Sequence, residues 1–286
     1  MCHPLLLKNI WEWGNITSKV RKAVIPAAGA GTRFFPLTRT QPKEMLPILD
    51  KPVIQYVVEE ALLSGLDEIL IIVGHGKDSI IDYFDRHPLD SQMKGFEIDM
   101  FPEIYFVRQR EQKGLGDSLR YAEKFTGDDP FLVLLGDTIY KTKGSETTSS
   151  EVLKAYGETG KLMVLVEKVE REKIQDYGII SGKKISKSLW SIDDLVEKPD
   201  PGNAPTDIGI TGTYLLNGEI YDILRELKPG KNNEYQLTDA LRILAANGVL
   251  LGYEINGARY DIGTKELWVK TFIDFAREDP RFKRLF

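Results

Sequence analysis

The stretch Pro26-Ala27-Ala28-Gly29-Ala30-Gly31-Thr32-Arg33 follows a short apolar run, and Pro42-Lys43-Glu44-Met45-Leu46-Pro47 comes soon after it. Small residues at the end of a strand let backbone N–H groups approach phosphate oxygens, and Arg33 and Lys43 add the positive charge that a polyphosphate needs. The loop has neither the Gly-Lys-Ser/Thr of a P-loop nor the GxGxxG of a dinucleotide fold. Taken alone, it also fits a Gly-rich turn beside solvated charges. Asp137 follows Gly136 at the end of the apolar run Phe131-Leu132-Val133-Leu134-Leu135, and Asp261 lies far downstream in Tyr260-Asp261-Ile262-Gly263. A carboxylate at the carboxyl end of a buried strand is where open α/β sheets bind ligands. Two carboxylates completed by phosphate oxygens and water suit Mg²⁺, whereas a lone Gly-Asp reads equally as a turn. Gln109 carries the donor and acceptor that match an imide edge, Gly114 lets a base lie against backbone, and Glu197 can accept from two hydroxyls. Each of these is an ordinary surface residue if taken singly.

Positioning these groups requires a sheet. From Ala23 the sequence alternates apolar runs (23–25, 69–73, 104–107, 131–135) with amphipathic segments (53–63, 79–84, and one around 118–125). Such alternation predicts a doubly wound α/β fold with a mostly parallel sheet buried on both faces. The segment after Pro52 repeats apolar residues at three and four, with Gly65 placed to end a helix. The second half keeps strands at 162–166 and 249–255 among Gly/Pro/Asp turns, which predicts extra strands forming a sugar-sized pocket. A surface loop is expected at 141–150 and a final helix at about 265–277. The 286 residues, 42% hydrophobic and 28% charged, describe a globular chain, and a net charge of −5 offers no overall basic surface for nucleic acid. One cysteine and three histidines exclude an internal disulfide and a Cys/His zinc cluster. No run reaches the roughly 18 apolar residues of a membrane span, and Leu5-Leu6-Leu7 is too short for a signal core, so a cytoplasmic protein is expected. Residues 1–20 show no clear period and read as an extension of unassigned role.

Taken in order, the motifs resemble a known family. Gly29-Ala30-Gly31-Thr32-Arg33, Pro42-Lys43-Glu44-Met45-Leu46-Pro47 and Lys51-Pro52-Val53-Ile54-Gln55-Tyr56 are similar to the opening of bacterial and archaeal UTP:glucose-1-phosphate uridylyltransferases, in the sugar-nucleotidyltransferase superfamily. The likeness continues through Gln109 with Gly114-Leu115-Gly116, Leu135-Gly136-Asp137, Asp176-Tyr177-Gly178, Glu197-Lys198-Pro199, Glu234 to Ala240, and Arg259 to Gly263. The resemblance implies a Rossmann-like nucleotide-diphospho-sugar transferase fold. It also implies a single domain over 21–286, with a nucleotide part at about 21–140, a sugar part at about 141–263 and a C-terminal helix at about 264–280. In the implied reaction a sugar-1-phosphate oxygen attacks the α-phosphorus of UTP in line and pyrophosphate leaves, which calls mainly for charge neutralisation and alignment.

By this resemblance Ala27, Ala28, Gly29, Ala30, Gly31, Thr32 and Arg33 wrap the triphosphate. Arg33 steadies the leaving pyrophosphate, Lys43 bridges the phosphates near the α-phosphorus, and Lys198 holds the sugar phosphate. Gln109 and Gly114 take the base, Thr138, Gly178, Glu197, Ile210 and Gly212 surround the sugar phosphate, and Asp137 and Asp261 hold Mg²⁺. The substrates would be UTP and glucose-1-phosphate, and the protein a homo-oligomer, dimer or tetramer. Gly136-Asp137-Thr138 and Ile210-Thr211-Gly212 lean toward the thymidylyltransferase branch, and Asp117 stands where uridylyltransferases often have His after Gly-Leu-Gly, which keeps dTTP or dual use as an alternative. A non-catalytic nucleotide-binding paralogue is the alternative of another class. Retention of Arg33, Lys43, Asp137, Lys198 and Asp261 argues against it.

Overall fold

A computed structural model describes residues 20–86, 101–230 and 233–286. The extension at residues 1–20 therefore lies outside the described residues, apart from Val20. The chain opens on β1 (Lys22–Ala27), passes through short turns to the strand pair β2 (Pro47–Ile48) and β3 (Lys51–Pro52), and enters helix α1 (Val53–Leu63). In α1 the apolar residues Val53, Ile54, Val57, Val58 and Ala61 are all buried. The helix stops where Gly65 adopts φ +82° and its N–H donates to the carbonyl of Leu62 at 2.9 Å, the left-handed ending that favours glycine. There follow β4 (Glu68–Val73), α2 (Asp78–Phe84), β5 (Ile104–Arg108), the short helices α3 (Leu115–Arg120) and α4 (Glu123–Thr126), β6 (Phe131–Leu134), β7 (Thr138–Thr142) and α5 (Thr148–Thr159). The second half comprises β8 (Leu162–Lys168), β9 (Gly178–Lys184), β10 (Leu189–Glu197), β11 (Ile208–Leu216), α6 (Glu219–Glu226), α7 (Leu237–Ala246), β12 (Leu250–Glu254), β13 (Gly257–Asp261) and α8 (Lys265–Glu278).

Among the described residues, nine strands form one sheet in the order β5-β4-β1-β6-β11-β8-β12-β10-β9. The block β5-β4-β1-β6 is parallel throughout, with Val24 opposite Leu70 and Val133. Beyond it β11 runs antiparallel to both β6 and β8, β12 returns parallel to β8, and β10 and β9 are antiparallel. The parallel plan thus belongs to the first half, where helices carry the chain back between strands. The second half mixes directions because hairpins such as β9–β10 reverse the chain without a crossover.

Successive strand residues point to opposite faces, so Val24, Leu70, Ile72 and Val133 build one core with α6 and α7. Ile25, Ile69, Ile71 and Leu132 build the other with α1 and α5. Each fully buried Ile, Val or Leu contributes about 1.5–3 kcal/mol, so these two layers, and not the exposed ion pairs, carry the fold.

The loop expected at 141–150 is shorter than that. Lys141 and Thr142 finish β7 by pairing with Ala258 and Gly257, and Thr147 caps α5 by accepting from the Ser150 N–H at 3.0 Å. A third core, with Phe34, Leu46, Ile48, Val53, Ile139 and Ile262, lies beneath the β7–β13 ribbon and is closed by Trp268 and Phe275 of α8. It locks the ribbon to the loop after β1. No helix among the described residues is long and apolar enough to cross a membrane.

Candidate active site

At the carboxyl edge of β1, Ala27 and Ala28 are buried while Gly29 and Ala30 are exposed. Gly31 turns the chain with φ +63°, and its carbonyl accepts from the Thr38 hydroxyl at 2.7 Å. The next turn buries Phe34 in the third core and leaves Arg33 facing open space. Lys43 begins another tight turn, anchored by its neighbour. Glu44, 2% exposed, takes a hydrogen bond of 2.6 Å from Lys77 in the loop after β4. With one residue of the turn fixed inward, the next side chain is directed to the opposite side, where the Lys43 ammonium hydrogen-bonds Asp137 Oδ2.

Asp137 leaves the sheet because Gly136 lets β6 pass close to β1, where the Gly136 N–H donates to the Pro26 carbonyl at 3.3 Å. The β7–β13 ladder then pairs Thr138 with Asp261, and the Ile262 N–H donates to the Asp137 carbonyl at 2.9 Å. Two carboxylates distant in sequence are thereby set side by side. Arg259 lies two residues before Asp261 on the same strand face, and its side chain is only 8% exposed. It donates to Asp261 Oδ2 at 3.0 Å, to Glu167 Oε1 at 2.8 Å and to the Tyr177 hydroxyl at 2.7 Å.

The charges respond to this crowding. Burial pulls the Lys43 ammonium down, but Asp137, Glu44 and Asp261 outweigh it and hold the group above the usual lysine range. Burial, with Asp137 alongside, pushes the Asp261 carboxyl up, and Arg259 and Lys43 oppose that rise. Among the described residues no group of three or more His, Cys, Asp or Glu side chains could hold a metal. The protein offers two hard oxygen ligands whose charges oppose one another. That donor set fits a divalent ion that keeps its other positions for phosphate and water.

The cleft above these residues has a volume of about 440 Å³. Gly31, Thr32, Arg33, Lys43 and Asp137 line one side, Gly178, Glu197, Lys198, Ile210 and Gly212 the other, and Thr138 and Asp261 lie between. On the far side Thr238 Oγ1 donates to Glu197 Oε2 at 2.6 Å. A Cβ on Gly178 would come within 3.2 Å of both of those oxygens. Lys198 adopts φ +47°, with its N–H on the Tyr177 carbonyl at 3.0 Å and its ammonium 3.2 Å from Glu197 Oε1. That left-handed backbone is uncommon for a residue with a Cβ and turns the side chain in at the end of β10.

A model of the nucleotidyl transferase family matches residues 22–277. The chain belongs to that family. A UTP–glucose-1-phosphate uridylyltransferase of Streptococcus pyogenes is 43% identical over 279 residues, 93% of this chain and 92% of that protein. A crystal structure of a UDP-glucose pyrophosphorylase complexed with UDP-glucose superposes with a TM-score of 0.87 at 37% identity, covering 91% of this chain and 100% of the other. A UTP-bound UDP-glucose pyrophosphorylase of Acinetobacter baumannii gives 0.84 at 30% identity, over 93% and 97% of the two chains.

In this nucleotidyl transferase the phosphate, metal and sugar candidates meet in one cleft. Ala27, Ala28, Gly29 and Ala30 stand at its rim, outside its lining. Gln109 and Gly114 also lie outside the cleft lining, which reaches their neighbour Leu115. The segment that carries them is tied to the loop after β1 where Gln112 Nε2 donates to the Ala28 carbonyl at 2.7 Å. Gly114, at φ +96°, lies so near Tyr235 that a Cβ would meet its carbonyl at 2.8 Å. Sequence reasoning assigned no role to Arg259, Thr238 or the Glu44–Lys77 pair. Arg259 and Thr238 sit inside quoted motifs, and the i, i+2 spacing of Arg259 and Asp261 on a strand was the one usable signal.

Proposed function

We propose that this chain transfers a uridylyl group from UTP to glucose-1-phosphate, giving UDP-glucose and pyrophosphate. The observation that carries the reading is that Lys43, Asp137 and Asp261 line one cleft together with Gly31, Thr32 and Arg33 of the glycine-rich loop and with Glu197 and Lys198. One anionic substrate is held on each side of a shared point of charge neutralisation. Lys198 holds the sugar phosphate and Glu197, oriented by Thr238, accepts from sugar hydroxyls. The sugar phosphate is already an anion, so no general base is needed. Its oxygen attacks the α-phosphorus, forming the new O–P bond as the bond to the β-phosphate oxygen breaks. Lys43 neutralises charge near the α-phosphorus and Arg33 meets the departing pyrophosphate. Asp137 and Asp261 would hold Mg²⁺, which when bound supplies Lewis-acid polarisation of the phosphate.

The test is pyrophosphate release measured with UTP, dTTP, CTP, ATP and GTP against several sugar-1-phosphates. Turnover with UTP and glucose-1-phosphate is expected, and no turnover with any pair would sink the reading. Strong preference for dTTP would move it to the thymidylyl reaction, toward which Gly136-Asp137-Thr138 and Ile210-Thr211-Gly212 lean. A homo-oligomer, dimer or tetramer, is part of the proposal and is read by light scattering.

Arg259 acts through Asp261, and its guanidinium alone spans three partners. Arg259→Lys keeps the charge but loses that span, so kcat/KM should fall by about 10- to 100-fold. Because Arg259 opposes the rise of the Asp261 carboxyl, weakening that contact lets the group protonate at higher pH. The acid limb of the pH–rate profile should therefore move upward. An unchanged limb would mean that Arg259 serves only the fold.

A further inference from the structure

Asp117 has no part in the chemistry above, yet it is buried at the start of α3 against Gln109. Gln109 is 4% exposed and follows the end of β5, with its backbone N–H on the Val73 carbonyl at 2.9 Å. Its side-chain Nε2 donates to Asp117 Oδ2 at 2.8 Å and reaches the Gly114 carbonyl at 3.5 Å. Arg120 stands 3.6 Å from the other Asp117 oxygen and stacks over Tyr235 at 4.2 Å. A carboxylate can only accept, so the amide must turn its NH₂ toward Asp117. Gln109 Oε1 accepts no hydrogen bond within the described residues, and it is absent from their sealed, unpartnered polar atoms. The edge of Gln109 left open is thus an acceptor.

We infer that Asp117 is a specificity-determining residue that fixes the Gln109 amide so that a base facing Gln109 must offer an N–H donor. Uracil and thymine offer one at N3. Cytosine presents a lone pair there and would face the Gln109 oxygen acceptor to acceptor. The inference rests on the reading that Gln109 faces the base. Asp117 acts as a positioning residue through Gln109, and it separates imide bases from cytosine without separating UTP from dTTP.

The test is calorimetric binding of UTP, dTTP and CTP to the full chain with Mg²⁺ and no sugar phosphate. The wild type should bind UTP and dTTP at least about 100-fold more tightly than CTP, because the mismatch leaves buried groups unpaired. Asp117→Asn can donate as well as accept, which frees the Gln109 amide to rotate, and the ratio of UTP to CTP affinity should fall by about tenfold or more. The double variant Gln109→Glu with Asp117→Asn presents a permanent acceptor again and should recover the ratio, which a merely structural role for Asp117 would not produce. Asp117→Ser is read in the same way if the Asn variant does not fold. An unchanged ratio in a variant that melts like the wild type overturns the inference, as does a wild type that binds CTP and UTP alike. Failure of the uridylyltransferase reading shows separately, as absent pyrophosphate release from the wild type.

Discussion

Asp137→Ala should lower kcat by at least about 10³-fold, equivalent to roughly 4 kcal/mol of lost transition-state stabilisation, while the fold survives. In the proposed reaction Asp137 has two functions in the cleft. It is one of the two oxygen ligands available to a divalent ion, and it is the hydrogen-bond partner of Lys43. Its removal leaves Asp261 alone, and a lone carboxylate holds Mg²⁺ weakly. The fold should persist because Asp137 lies outside the apolar layers, and Lys43 keeps Glu44 and Asp261 as nearby counter-charges. Steady-state pyrophosphate release together with a thermal melt decides the matter. Unchanged activity would remove Asp137 from the site, and a collapsed melt would make the loss of rate uninformative about chemistry, in which case Asp137→Asn replaces it.

Lys43→Ala should reduce kcat by about 10²- to 10³-fold with a smaller change in KM. The split follows from when the lysine matters most. Charge on the phosphate oxygens is redistributed as the bond to pyrophosphate breaks, and a cation already in place then contributes more than it does to the bound substrates. Lys43 is preorganised for that role by Asp137 on its own side and by the buried Glu44–Lys77 pair behind it. Its ammonium stays above the usual lysine range, so no alkaline limb near neutral pH should arise from it. Lys43→Arg is not expected to restore the rate, because a planar fork cannot replace a compact charge in a tight turn. Equal loss in KM and none in kcat would mean that Lys43 contributes only uniform binding.

The parallel half of the fold could be read from the sequence because its inner strands β4, β1 and β6 are buried on both faces and so appear as apolar runs. Helix α1 was legible to its last turn because Gly65 marks a backbone conformation that other residues avoid. The polar end of β7 was not, since Lys141 and Thr142 become a strand only through β13, and no local pattern announces a partner so far along the chain. The mixed directions of the second half share this cause: direction is set by connections, and residue type carries little information about them. In the site, Arg33, Lys43, Asp137, Glu197, Lys198 and Asp261 could be named because loop chemistry and motif order point to them. The contribution of Arg259 depends on which atoms its three donors reach. That Asp117 faces Gln109 depends on how α3 packs, which its departure from the family pattern flagged but could not orient.

The β7–β13 ribbon stands outside the nine-stranded sheet, held by its own ladder, by the packing of Tyr260 and Trp268 in the third core and by the bonds of Arg259 to Glu167 and Tyr177. An opening that frees β13 would part Asp261 from Asp137 and release Arg259 from Glu167, yet it would break no backbone ladder of the main sheet. Such partial openings cost less than global unfolding. Function and shape are therefore unequally robust in this molecule. Under mild heat or low denaturant it should fall silent first, while its circular dichroism is still native, and recover at once when the ribbon closes.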